Sequence, residues 1–518
     1  MTVAGPHALT RGQPADPTVD EVTAWPPAQR RAAEVVASLR WGRALGRSEH
    51  RMGLPARLTL RAAVAGGGDG TPAIHAAAAA ELTQRALEWH AAAASGTEAV
   101  GLGALAGDYC LAQAAAALSR YADVDMEAAF ADGLTAAGAT LAASGSAALA
   151  SRRLLPACGL TGARAARLPA SVQAHWWRAG RRLARSGGAA HLLLGKATDL
   201  EHLLSASDPL ENRLGRILAV DPASVSGPMA TLLNAGGKRI RARLVLLSGE
   251  IGNRFRPDGL LQGAAAMEIL HAATLCHDDL VDGATSRRGA PTVAAMAGPL
   301  AALGVGDFYL GRASALIARL GDPRISRDFA RSLVEIADGQ LLELDRRSVW
   351  TGELAPYIRV ARLKTGSLLA ACATTGARVG GASAVQTRAV ARFARRLGLA
   401  FQGIDDCLDF SDPERTGKPA GLDLEQGICG LPVLCALRGP QRKLVLAHLH
   451  RMDSAEGTEA AALRDHVLEL VRETGALATA RTVADGWSTE AIASIQGLPV
   501  AIRQRLEDLA DRLTLRDR

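Results

Sequence analysis

Long stretches rich in Ala and Leu, with polar residues returning about every 3.6 positions, alternate along the chain with short clusters of Gly, Pro and Ser. Sustained apolar–polar alternation, the mark of half-buried strands, is absent. The pattern predicts an all-α protein. Breakers fall at Gly66 to Gly68 with Gly70 and Pro72, at Ser144-Gly145-Ser146, between Gly159 and Gly162, and at Gly187-Gly188. A fresh helical run from Leu192 follows the last of these, which therefore predicts the main boundary. Three parts are expected: a flexible Pro-rich segment 1–28, an Ala-rich helical domain 29–190, and a helical domain 196–518.

An internal repeat links the two helical parts. Shifted by 199 positions, residues 107–134 lie on 306–333 without a gap, and ten of the 28 positions match. The matches include Gly107-Asp108 with Gly306-Asp307, Asp123 with Asp322, and Phe130-Ala131 with Phe329-Ala330. Ala matches are cheap in such a chain; the Gly-Asp and Asp-to-Phe-Ala spacings are not, and they point to an ancient duplication.

Composition narrows the classes. Of 518 residues 48% are hydrophobic but only 3% aromatic, so the core is built from small aliphatic side chains. The net charge is +7, yet five of the 59 basic residues are Lys, which is most simply a coding bias. No clustered basic stripe is visible, so nucleic acid is not expected as a partner. The seven Cys are odd in number and form no C-x-x-C pair, and the first 28 residues carry no apolar signal core. Buried reduced thiols and a cytoplasmic location are expected. The Ala-rich run at 74–94 is broken by Glu81, Gln84, Arg85 and Glu88, so no transmembrane helix is expected.

The candidate chemistry begins with two acidic clusters. Asp278, Asp279 and Asp282 follow an apolar helical run, and Asp405, Asp406 and Asp409 follow another. In each, the first and last acids stand one turn apart on one helix face, where like charges destabilise the helix unless a cation pairs with them. A hard divalent ion fits oxygen ligands of this kind, and Mg2+ bridges carboxylates to substrate phosphates. One such cluster is weak evidence; two, each flanked by apolar residues, are not a solvated acidic face.

Cations accompany the acids. Gly236-Gly237-Lys238-Arg239-Ile240-Arg241 sets two glycines before a basic turn, where backbone can approach a phosphate closely. Arg287 and Arg288 follow Asp282, and Lys364-Thr365 and Gly417-Lys418 complete the set. Three of the five lysines therefore lie in these segments, as suits phosphate oxygens. His271 stands about two turns before Asp278, in register with the acids.

GGKRIR, HDDLVDGATSRRGAPTV, KTG, FQGIDDCLDF and GKPAGLDLEQG, in this order, resemble the trans-polyprenyl diphosphate synthases over about 200–518. The resemblance implies a helical bundle of the isoprenoid-synthase type, with two aspartate-rich helices facing a deep cavity. It implies that Asp278, Asp282 and Asp405 bind Mg2+, with Asp279, Asp406 and Asp409 in support. It assigns isopentenyl diphosphate to Lys238, Arg241, His271 and Arg288, and the allylic diphosphate to Arg287, Lys364, Thr365, Gln402 and Lys418. The implied reaction is ionisation of the allylic diphosphate, condensation and proton loss, in which Asp278, Asp282, Asp405, Lys364 and Arg287 are the catalytic set. Two departures stand out: Ala242 where the family usually has Pro, and Gly427-Ile428-Cys429-Gly430-Leu431-Pro432 where it usually has a Lys and a Thr.

Bulky residues four or five positions before the first cluster stop chain growth in this family. Here these positions hold the small Thr274 and Ala273, which predicts a longer product, with Leu270 and Met267 as a lower floor. Residues 105–118 resemble, more weakly, the non-catalytic subunit of two-component heptaprenyl diphosphate synthases. At the repeat's offset the N-terminal counterpart of the first cluster falls on Ala79 to Thr83, without an aspartate. A silent partner domain fused to an active one is therefore expected, as an internal pseudo-dimer or within a homodimer, with peripheral membrane contact for product release. The alternatives are a non-catalytic or regulatory subunit of a heteromeric synthase, or a class I terpene cyclase.

Overall fold

In the computed structural model of the chain the described residues are 55–56, 59, 74–95, 100–121, 123–144, 146–165, five positions between 170 and 178, 208–254, 256–410, 420–455 and 457–514. The Pro-rich segment 1–28 and the boundary at Gly187-Gly188 lie outside them.

Helices dominate among the described residues. The N-terminal half contributes α1 (Ile74–Ser95), α2 (Val100–Leu118), α3 (Val124–Ser144), α4 (Ala147–Arg153) and α5 (Leu155–Ala165). The larger half opens with α6 (Pro209–Leu218), α7 (Ala223–Asn234), α8 (Ile240–Gly249) and α9 (Pro257–Val281). A two-stranded hairpin follows, β1 (Ser286–Arg287) paired antiparallel with β2 (Ala290–Pro291), then α10 (Val293–Ala297), α11 (Pro299–Ala318) and α12 (Pro323–Leu344). Next come α13 (Leu354–Ala361), a π-helical turn (Arg362–Gly366), α14 (Ser367–Val379) and α15 (Ala384–Asp409). The chain continues through α16 (Leu422–Glu425), α17 (Leu431–Ala436), α18 (Arg442–Met452), α19 (Gly457–Glu473), α20 (Ala476–Ala493) and α21 (Val500–Thr514).

Local chemistry sets the ends of the helices that matter. α9 starts on Pro257 at its first turn with Asp258 behind it, both favoured at an N-terminus. α15 starts with a capping box, Ser383 bonding the Gln386 backbone and Gln386 bonding back. Asp322 caps α12 by accepting from Arg324 N. By length and composition α11 could cross a membrane, but 72% of its apolar window is buried inside the protein. It is the central helix on which both halves pack.

The two halves share one core. Leu105, Tyr109 and Ala112 of α2 belong to the same buried cluster as Met267 and Leu270 of α9 and Phe308 of α11. Their helices pair reciprocally. The repeat matches α2 to α11 and α3 to α12; α3 packs on α11, and α2 packs on α12. Likewise α1 packs on α11, and α2 on α9. Small residues bring α3 and α11 very close. A Cβ on Gly138 would sit 2.4 Å from Phe308 N, and one on Gly304 would sit 2.4 Å from the Cβ of Ala142.

The pairing corrects the placement of the lost acid cluster. His90 near the end of α1 and His277 near the end of α9 make equivalent bonds, so the counterparts of Asp278, Asp279 and Asp282 are Ala91, Ala92 and Ser95. The 199-residue offset holds for α2 and α3 but fails for α1. Four residues separate α1 from α2, whereas the hairpin and α10 lie between α9 and α11. The N-terminal half thus lacks the hairpin that carries Arg287 and Arg288.

Candidate active site

The two acidic clusters occupy the C-terminal ends of α9 and α15. Their members fall into two kinds. Asp279 is buried, and its Oδ1 accepts from Arg287 Nε at 2.7 Å. Asp406 is buried too, and it accepts from Tyr357 Oη at 2.7 Å, Gln402 Nε2 at 2.9 Å and Leu431 N at 2.9 Å. These two carboxylates are held by protein donors. Asp409 accepts from the backbone N of Leu422 and Asp423 and so anchors the start of α16.

Asp278 and Asp282 are less well compensated. Burial pushes the Asp278 carboxyl up to about 6, against the opposing pull of Lys364. Burial also raises Asp282, with Lys364 again opposing it and Glu343 adding to the rise. Asp423, in the short helix α16, is raised well above the carboxylate range by burial and by its neighbours Asp406 and Asp409. An ionisable group held high by desolvation among its own kind is short of positive charge.

Lys364 sits in the π-helical turn, and its Nζ donates to Glu343 Oε2 at 2.6 Å. Burial pulls its pKa down, but Glu343, Asp278 and Asp282 outweigh that and leave it raised. Thr365 next to it donates to Gln402 Oε1 at 2.9 Å, and Gln402 passes the chain on to Asp406. Asp282, Glu343, Lys364, Gln402, Asp406 and Asp423 line one cavity of about 180 Å³, whose other walls include Val349, Pro356, Val360 and Leu434.

A cationic group gathers around His271. Burial lowers the His271 pKa well below its ordinary value, and Arg241, Arg288, Arg287 and Arg239 push the same way, so the ring is neutral. Arg241 is itself lowered by burial, and its Nε is buried without a hydrogen-bond partner. Arg288 takes a left-handed backbone with φ 52° in the hairpin turn and donates to Gly236 O. Gly237 allows this, since a Cβ there would lie 2.8 Å from Arg288 Nη1. Lys238 stands at the edge of the group, 3.5 Å from Arg512 O of α21. Arg239, between them, pairs instead with Glu211 at 2.6 Å and serves the fold. Lys418 lies outside the described residues.

Ala273, Thr274 and Asp278 line a second, smaller cavity of about 50 Å³ beside α2. Leu270 and Met267 are fully buried in the core below. Three residues of the site have no place in the sequence reading, Glu343, Tyr357 and Asp423, and Asp108 enters it only as part of the repeat. Asp423 lay inside a motif already noticed, GKPAGLDLEQG. Glu343 and Tyr357 carry no local signal, because their roles arise from the packing of α12 and α13 against the π turn.

Among the described residues, one group of three could bring metal-ligand atoms within 4.8 Å of each other: His90, Asp108 and His277. Its nitrogens are already engaged. His277 pairs with Asp108 at 2.5 Å and with Leu303 O at 3.2 Å, while His90 pairs with Asp307 at 2.8 Å and with Ala104 O at 3.2 Å. With both ring nitrogens of each histidine facing acceptors, the group is a pair of crossed histidine–aspartate contacts between the halves.

Comparisons with known proteins agree on one family. A family model described as Polyprenyl synthetase matches residues 222–466. Heptaprenyl diphosphate synthase component 2 of Geobacillus stearothermophilus is 34% identical over 310 residues, 60% of this chain and 95% of that protein. Nonaprenyl diphosphate synthase of Mycobacterium tuberculosis is 36% identical over 55% of this chain and 85% of its own. Among solved structures, heptaprenyl diphosphate synthase from Staphylococcus aureus superposes with TM-score 0.55 at 26% identity, covering 62% of this chain and 99% of that one. A polyprenyl synthase from Caulobacter crescentus, complexed with calcium and isoprenyl diphosphate, gives TM-score 0.54 at 30% identity and the same coverages. The chain belongs to the polyprenyl synthetase family.

Proposed function

We propose that the chain condenses isopentenyl diphosphate with an allylic diphosphate to make an all-trans polyprenyl diphosphate, and that it does so with Mg2+. The observation that carries this is the cavity in which the acid clusters of α9 and α15 meet Lys364 and Gln402. The donor set suits a hard divalent cation. Asp278 and Asp282 are carboxylates raised by burial and short of positive charge, and Asp405 stands one turn before the end of the opposite helix. These three would hold the ion. Bound there, it would supply positive charge to stabilise the departing diphosphate.

The chain's own residues account for the rest. Lys364 and Arg287 offer cationic donors to the allylic diphosphate, with Thr365 and Gln402 beside them; we place Lys418 there as well. Arg241, with its unpaired buried Nε, neutral His271, Arg288 and Lys238 form the pocket for isopentenyl diphosphate. Val349, Pro356, Val360 and Leu434 keep the cavity apolar on one side, which shields an allylic cation from water. Attack by the isopentenyl double bond and loss of a proton then restore an alkene.

The N-terminal half takes the place of a second subunit in this proposal. It repeats α9, α11 and α12, but Ala91, Ala92 and Ser95 replace its acids, so it packs as a partner without a metal site. Tethering it to the active half gives a permanently high effective concentration. A cytoplasmic location and peripheral membrane contact during release of an apolar product complete the proposal.

The deciding assay incubates the protein with Mg2+, isopentenyl diphosphate and each of dimethylallyl, geranyl, farnesyl and geranylgeranyl diphosphate, and sizes the products. Elongation that Asp278→Ala abolishes is expected. No elongation from any primer would overturn the proposal.

A further inference from the structure

The cavity beside the acid clusters is rich in carboxylates. Asp282, Glu343, Glu353, Asp406 and Asp423 line it, against the cations Lys364 and Arg346. The ammonium of Lys364 is committed to Glu343 at 2.6 Å. Arg346, just beyond the end of α12, is placed differently. Its Nη2 donates to Thr351 Oγ1 at 3.5 Å, the outer limit of a hydrogen bond, and among the described residues no carboxylate pairs with it. Its neighbour Arg347 turns to the acids, with Nη2 3.8 Å from Asp282 Oδ1.

The loop that carries Arg346 is fixed at several points. Ser348 takes a left-handed backbone, φ 56°, and its N donates to Gly427 O at 2.8 Å. Gly427, at φ 72°, allows that approach, since a Cβ there would lie 2.9 Å from Ser348 N. Further on, Trp350 Nε1 donates to Asp453 Oδ2 at 2.8 Å. Where the two loops meet, the cavity is lined by Gln426, Ile428 and Cys429, and none of these carries a charge. The charge of Arg346 is felt there: burial and Asp406 push the Cys429 thiol up to about 12, and Arg346 pulls against them.

We infer that Arg346 binds the diphosphate of the allylic substrate and holds it as it departs. The inference rests on the proposed reaction and adds to it a residue from outside the motifs. A diphosphate brings further negative charge into a cavity already crowded with carboxylates. Lys364 shares its one ammonium with Glu343. A guanidinium without a carboxylate partner breaks no ion pair to meet the ligand, and its fork of donors suits two phosphate oxygens. Its long bond to Thr351 is given up at little cost. Arg346 thus supplies, from the neighbouring loop, the positive charge that Gln426, Ile428 and Cys429 do not.

The test uses the full chain. Arg346→Gln removes the charge and keeps a donor for Thr351, so a role confined to holding the loop survives it. Calorimetric titration with inorganic diphosphate and Mg2+ is expected to show binding weakened by about tenfold or more, the scale of losing one charge-assisted hydrogen bond. The KM of the allylic primer should rise by a similar factor. The KM of isopentenyl diphosphate should stay at the parental value, because the group around His271 does not line this cavity. Adding Ile428→Lys to Arg346→Gln returns a cation from the adjoining loop and is expected to restore most of the lost diphosphate affinity. Circular dichroism establishes that each variant is folded. If Arg346→Gln does not fold, Arg346→Lys decides alone: it keeps the charge but loses the fork, so weaker diphosphate binding is expected and parental binding overturns the inference. A parent that elongates while folded Arg346→Gln keeps the parental diphosphate affinity and primer KM overturns the inference and leaves the reaction intact. Equal rises in both KM values, or no restoration by Ile428→Lys, assign Arg346 to loop packing and overturn it as well. A parent that does not elongate overturns the reaction itself, and the calorimetry then judges Arg346 as a diphosphate ligand.

Discussion

The imidazole of His277, the residue immediately before the first aspartate cluster, places its Nδ1 2.5 Å from Asp108 Oδ1 on a helix of the other half. Its mirror contact joins His90 to Asp307 at 2.8 Å. Gly107 and Gly306 make room for the two rings, and each would clash with a Cβ at 2.0 Å. The end of α9, which carries the first acidic cluster, is therefore braced by the half that has no matching cluster.

This brace is pH-dependent. Burial opposes the charged form of His277, but Asp108 outweighs it and raises the pKa to about 9. A raised folded-state pKa stabilises below the unfolded value near 6.5, and the gain is lost as pH climbs through about 9. The contribution is at most about 3 kcal/mol. Asp108→Asn should therefore lower Tm at pH 6, and the difference from the parent should close by pH 10. A gap of constant size across that range would assign the effect to packing instead.

Asp278 carries the opposite sign. Its carboxyl is raised to about 6 by burial, so the folded state is penalised as pH rises from about 4 to 6 and remains so above. Asp278→Asn removes that penalty. Without metal at pH 7.5 the variant should be more stable than the parent, by up to about 3 kcal/mol, while its elongation activity is lost. Added Mg2+ with a diphosphate should raise the parent's Tm and leave the variant's unchanged. Calorimetry on both proteins checks all of this, and a less stable variant would contradict the account of uncompensated burial.

Lys364 and Glu343 divide a role. Lys364→Ala removes a cation from the leaving-group side and should reduce kcat by about 100-fold or more, the scale of losing one charge-stabilising donor. Glu343→Gln keeps a hydrogen bond to Nζ but removes the charge that orients it. A smaller loss is expected there, no more than about tenfold. Steady-state kinetics with a saturating primer separates the two, and equal losses would make Glu343 a direct participant.

Gly306→Ala should destabilise by about 1–3 kcal/mol, because the added methyl overlaps the buried His277 ring and the helices cannot part to relieve it. Gly107→Ala should cost a similar amount through His90. Denaturant melts measure both. An effect within error at either site would mean that the halves separate readily.

The sequence determined a great deal. Periodicity alone predicts a helical chain, and the hairpin at Ser286 to Pro291, two residues per strand, is a minor departure. Both acid clusters, the basic segments and the repeat are local patterns, fixed by spacing along one helix or one turn, and they remain visible in a single sequence. Short motifs mark Lys364, Thr365 and Gln402, and the structure links Thr365 through Gln402 to Asp406 while Lys364 donates separately to Glu343. The same locality misled at one point. A gap-free repeat put the lost acid cluster at Ala79 to Thr83, because the twelve extra residues of the hairpin region leave no trace in the ungapped alignment.

Tertiary structure decided the rest. Glu343 and Tyr357 reach the site from helices that carry no motif. The histidine–aspartate crossing depends on residues far apart in the chain, Asp108 with His277 and His90 with Asp307. The small cavity beside α2 is a property of packed surfaces, and no local period encodes a space between helices. Chemistry that repeats within a helical turn is written in the sequence; chemistry made by helices meeting is settled only when the core closes.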